Sequence, residues 1–118
     1  MDRKKELKQQ YKQMKPRMGV FIVRCNAEKK CHIQAAKDLR AGMNGCLVRL
    51  SGGIHPYLEL QKEWNELGAD RFTIEVLEEL PYDSDESKTD YADDLALLLL
   101  IWEEKLQKEH YAFYKKRL

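Results

Sequence analysis

Residues 18–23, Met-Gly-Val-Phe-Ile-Val, are apolar or glycine at every position. A run this short, rich in β-branched and aromatic side chains and without a polar face, reads as a central strand rather than a surface one. Such a strand needs partners in its plane and apolar layers on both faces. The rest of the 118-residue chain has to supply them.

Asn26-Ala27-Glu28-Lys29 reads as a hairpin loop, and Cys31-His32-Ile33-Gln34-Ala35 alternates apolar and polar. That alternation predicts a second strand with a wet face carrying His32 and Gln34. Lys37-Asp38 opens a helix with Leu39, Met43, Cys46, Leu47 and Leu50 on its apolar side, ended by Ser51-Gly52-Gly53. Gly42 and Gly45 interrupt it, each at a cost of about 1 kcal/mol relative to alanine. Pro56 takes the first position of the next helix, whose apolar side is Tyr57, Leu60, Trp64 and Leu67, with Gly68 as its stop. Phe72, Ile74 and Val76 alternate with Thr73 and Glu75 as a third strand. After the acidic loop at 81–87, a last helix is expected from near Asp90 to about Tyr114. Its stretch Leu95 to Trp102 is apolar all round, which predicts full burial. Ahead of everything, Asp2 to Lys15 reads as a solvated helix docked only by Leu7, Tyr11 and Met14. The expected fold class is therefore α/β (α+β), with a small three-stranded antiparallel or mixed sheet flanked by helices in the order (α)ββααβα. Residues 18–118 are expected to form one domain behind a basic extension at 1–17.

Size agrees with one domain, since 118 residues can bury roughly two-thirds of their unfolded surface without metal or disulfide staples. The longest apolar run is far below the roughly 20 residues that span a bilayer, and Met1 leads into charge rather than a secretory signal. A membrane protein and a secreted disulfide scaffold are excluded on this reading, and a cytoplasmic location is expected. Cys25, Cys31 and Cys46 lack paired metal-ligand spacing and are expected to be small buried apolar groups. Charge is unevenly spread. Residues 1–17 hold seven basic and two acidic groups, residues 18–58 six and two, and residues 59–94 three and thirteen. The basic half can attract phosphate, or the two halves can neutralise each other.

Gly19-Val20-Phe21, the hairpin, and Cys31-His32-Ile33-Gln34-Ala35-Ala36-Lys37-Asp38-Leu39 together resemble a GIY-YIG nuclease domain. The likeness continues through Gly53-Ile54-His55-Pro56, Leu60-Gln61, Trp64-Asn65, Gly68 and Phe72. Ile74-Glu75-Val76-Leu77-Glu78-Glu79-Leu80-Pro81-Tyr82 and Trp102-Glu103-Glu104-Lys105-Leu106 complete it, over about residues 18–107. It is most similar in flavour to the short form found alone or fused behind helix-turn-helix regulators. The resemblance implies DNA cleavage at a single active site with one divalent metal ion. The family supplies a tyrosine in each name motif, a helix arginine, a histidine and a metal-binding glutamate.

On this chain those positions fall on Phe21, His32, Gly42, His55 and Leu99, and Gln34 replaces the second-motif glycine. Phe21, His32, Arg40 and His55 are thus candidates for a vestigial site, with Lys37, Arg40 and Arg49 the candidates for gripping a nucleic-acid backbone. Asp94 and Glu103 are carboxylates of the same helix, five before and four after Leu99. No metal ligand is assigned, and no cofactor is expected, with Mg²⁺ or Mn²⁺ entering only if the domain cuts. The expected function is a catalytically inactive GIY-YIG-like domain with a nucleic-acid-binding or regulatory role. The alternatives are an active metal-dependent endonuclease and a protein-interaction or homodimerisation module acting through the C-terminal helix.

Overall fold

The computed structural model describes residues 15–117. The helix expected at the N-terminus lies outside the described residues apart from Lys15. Strands β1 (Met18–Cys25) and β2 (Lys30–Ala36) form the expected hairpin, and helices α1 (Leu39–Gly52) and α2 (Leu58–Leu67) follow. A short 3-10 turn leads into β3 (Phe72–Leu80), and α3 (Ala92–Lys108) precedes a two-residue strand β4 (Ala112–Phe113). The sheet order is β3-β1-β2-β4, so the all-apolar run is central, as its sequence requires. β1 pairs antiparallel with β2 and with β3, while β2 and β4 run parallel.

Alternation along β1 divides the core between two layers. Phe21, Val23 and Cys25 meet Leu39, Cys46 and Leu50 of α1 and Leu60 and Trp64 of α2. Val20 and Ile22, beside Cys31 and Ile33 of β2, meet Leu98 and Leu106 of α3. All three cysteines are free and buried. Opposite Val20 and Phe21, β3 carries an extra residue, Leu77, as a bulge. Gly19 lies directly on the Glu78 carbonyl there, where any Cβ would collide.

Helix boundaries depart from the sequence reading at three places. Asp38 is the N-cap of α1, its carboxylate accepting the Ala41 N–H at 3.1 Å. Helix α2 starts at Leu58 with Tyr57 as its cap, so Pro56 stands ahead of the helix. The last helix ends at Lys108 rather than near Tyr114, because the chain turns at His110 (φ 67°). Ala112 N–H then donates to Lys29 O and Tyr114 N–H to Cys31 O, both at 3.0 Å, which satisfies the edge of β2. Helix α3 covers one face of the sheet and can bury only one side. Leu95 and Leu98 are buried, but Leu97 is 59% and Leu100 51% exposed. Among the described residues no helix is long and apolar enough to cross a membrane.

Candidate functional site

The β1–β2 register pairs Phe21 with Gln34, Val23 with His32 and Gly19 with Ala36. These side chains share the face covered by α1 and α2. Gly42 and His55 reach the same face, so four of the five positions implied by the resemblance converge there. Leu99 does not. It packs beside Val20, Ile22 and Ile33 in the layer under α3, on the opposite face.

Phe21 is fully buried, and α1 lies so close to it that a Cβ on Gly42 would sit 3.1 Å from the Phe21 ring and 3.0 Å from Ala36 Cβ. Any side chain at Gly42 would therefore have to push the Phe21 ring or Ala36 aside. His32, expected on a wet face, is instead 5% exposed. Its ring lies 4.3 Å from that of Tyr57 and 5.5 Å from that of His55. Burial, aided by the neighbouring His55, pushes the His32 pKa down to about 4, although Gln34 Oε1, 3.5 Å from Nε2, works the other way.

His55 is buried too, and its pKa is lowered by desolvation and then by the Arg49 charge. The Tyr57 N–H donates to His55 Nδ1 at 3.0 Å, so the neutral ring carries its proton on Nε2, which faces Cys46 Sγ at 3.6 Å. The Cys46 thiol is itself pushed up to about 11 by burial. Gln61 accepts the His55 N–H at 3.0 Å and donates to Leu50 O at 3.0 Å and Asn65 Oδ1 at 2.9 Å. It thereby ties the 53–57 loop to both helices. Tyr57 and Gln61 escaped the sequence reading as partners of His32 and His55. A glutamine beside Leu60 on an apolar helix side was the available signal.

The three backbone-gripping candidates do not form one patch. Lys37, Arg40 and Arg49 are exposed, and among the described residues none has an ion pair. Arg40 and Arg49 are nine residues apart, about two and a half helical turns, which places them on opposite sides of α1. Arg49 lies near Cys46 and His55, whose charge states it biases. Arg40 instead borders a groove of about 560 Å³ together with Arg17, Met43, Asn44 and Val76. Other basic groups are neutralised by the acidic half, through Arg17–Glu79, Arg24–Glu75 and Lys30 with Glu59 and Glu63.

A second, smaller cleft of about 240 Å³ opens along β2 past the end of β4. It is lined by His32, Tyr57 and Tyr114 from one side and Glu103 and Gln107 of α3 from the other. Asp94, the other carboxylate near Leu99, is engaged elsewhere by Lys88 at 2.8 Å. The residues at the family positions do not fit a divalent cation, since Phe21 and Leu99 are apolar and on opposite faces. Among the described residues, no three His, Cys, Asp or Glu side chains cluster for a metal.

No protein-family profile and no curated protein sequence matches the chain. Solved structures do. The catalytic domain of the homing endonuclease I-TevI superposes with a TM-score of 0.64, covering 86% of this chain and 97% of that domain at 21% identity. A point variant of that domain, described as from an intron endonuclease, gives a TM-score of 0.64 over 84% of this chain and 92% of its own, at 22% identity. The chain has the GIY-YIG fold. Helices α1 and α2 lie on one side of its sheet and α3 on the other, and β4 makes a fourth strand beyond the three expected.

Proposed function

We propose that this GIY-YIG-fold chain is a nucleic-acid-binding or regulatory domain that does not cut its target, formed by residues 18–118 with 1–17 as a basic arm. The packing of Phe21 against Gly42 carries this reading. Phosphodiester cleavage needs a group to activate the nucleophile and positive charge at the developing oxyanion. Here an apolar ring and a bare helix backbone stand at two of the implied positions, a leucine stands at the carboxylate position, and burial weakens His32 and His55 as bases. The exposed Lys37, Arg40 and Arg49 retain affinity for phosphate without supplying turnover.

The test is a native gel of labelled duplex and branched DNA with the full chain, in low salt with Mn²⁺. An intact but shifted band is expected. Shortened products that EDTA prevents would overturn the inactive reading, and DNA that neither shifts nor shortens would overturn the binding role.

A second reading is retained cleavage, favoured by one observation: His32, Tyr57 and Glu103 share a cleft, so an acid–base pair could form from different parts. On that reading His32→Ala and Glu103→Gln each abolish cutting while the fold persists.

A further inference from the structure

Resting on the nucleic-acid reading, we propose that the groove between α1 and the Pro16–Arg17 segment takes a single-stranded stretch of nucleic acid, with an unpaired base lying in it. The half-buried Met43 and Val76 give the groove apolar surface above the buried Leu39, while Arg17, Arg40 and Asn44 supply polar groups around it. Its volume of about 560 Å³ falls in the range of pockets that bury a flat organic group.

Each component suits part of a nucleotide. Arg17 is held by Glu79 at 2.9 Å yet stays 65% exposed, which presents a fixed planar guanidinium on which a base can stack. Arg40 is exposed and has no ion pair among the described residues, so its donors are open to a phosphate. Asn44 is exposed and offers both a donor and an acceptor to a base edge. Asp38 also lines the groove, but its carboxylate is engaged in capping α1. Lys37 adds a further exposed cation beside it, and the chain leading into Pro16 is basic, with five more Lys or Arg before residue 15.

These features together select the strand state. In a duplex the base faces are stacked inside and cannot reach an apolar groove floor, whereas an unpaired base can. A polyglutamate-like acidic peptide would satisfy the arginines but has no flat apolar body for Met43 and Val76. The chemistry of the groove therefore favours a single strand over either.

Fluorescence anisotropy of the full chain would test this with a short labelled single-stranded DNA, the duplex of the same sequence and a polyglutamate peptide. Single-stranded DNA should bind about tenfold tighter than duplex, the scale of one base-stacking contact. Arg40→Glu, and Asn44→Trp as a groove plug, should each lose about tenfold for the single strand, and Lys62→Glu on the exposed side of α2 less than about twofold. Melting curves check that each variant folds, with Arg17→Ala replacing any that does not. Equal binding of both DNA forms, or Asn44→Trp without effect, would overturn the groove assignment and leave the nucleic-acid reading intact. Polyglutamate bound as tightly as single-stranded DNA would overturn it as well. A wild-type chain that binds neither DNA would overturn both.

Discussion

Gly42 sets how closely α1 sits on the sheet. Its missing side chain lets α1 settle on Phe21 and Ala36 at distances that leave no slack. Gly42→Arg, which would place a cation where the GIY-YIG resemblance implies one, should cost about 1–3 kcal/mol through overpacking. Urea denaturation measures this, and an unchanged midpoint would mean that α1 can lift off the sheet. His32 gives a second expectation at the same scale. Its folded pKa of about 4 lies below the ordinary value of 6.5, so between those pH values the unfolded chain binds a proton that the folded chain refuses. Stability is thus complete above about pH 6.5 and falls as pH drops, by about 3 kcal/mol for this group near pH 4. Lowered in the same direction, His55 adds to the loss. Urea midpoints at pH 7 and 4.5 should differ less for His32→Gln than for the wild type, the remainder including the His55 share, and equal differences in the two proteins would remove His32 from the account.

Among the elements, α3 shows how a helix that is apolar all round behaves against a single sheet. It buries Leu95, Leu98 and Leu106 and leaves Leu97, Leu100 and Ile101 outside. Leu98→Ala should therefore cost about 2–5 kcal/mol, and Leu97→Ala within about 0.5 kcal/mol, as read from thermal or urea melts. Similar losses at the two positions would mean that Leu97 is covered in solution. Strand β4 works differently, since two residues show no alternation to read. It exists because the edge of β2 offers Lys29 O and Cys31 O to bond. The Tyr114 hydroxyl then donates to Glu63, which also meets Lys30. That network anchors the C-terminal residues to α2 and drives the Tyr114 hydroxyl pKa upward, chiefly through burial.

For the whole molecule, the charge asymmetry is divided between internal pairing and open surface. Arg17, Arg24 and Lys30 are matched by acidic residues of α2 and β3, whereas Lys37, Arg40 and Arg49 face solvent. With the basic residues of 1–17, they should make DNA affinity fall steeply and linearly on a log–log plot against salt. A flat salt response in a binding titration would exclude phosphate contacts as the source of affinity. Net charge near zero does not argue against this, because the field a polyanion meets is local and screened beyond about 10 Å at ordinary salt.

The unbroken apolar run at 18–23 required a covered central strand, and the hairpin, the two middle helices and the third strand followed from local periodicity. Gly68 as a stop was legible because capping is settled within one turn of helix. The identities at Phe21, Gly42 and Leu99 were plain in the sequence as well. Their consequences were not, because they depend on which face of the sheet each side chain meets. Only the packed structure put Leu99 under α3, away from the other four positions, and closed α1 onto Phe21. It also buried His32, since a polar residue in an alternating strand is wet only if no layer covers it, and Tyr57 covers this one. Contacts between elements distant in sequence, such as β4 on β2 and Arg17 beside Arg40 at the groove, carry no local period. They are decided when the layers assemble, where burial and hydrogen-bond satisfaction outweigh local preference.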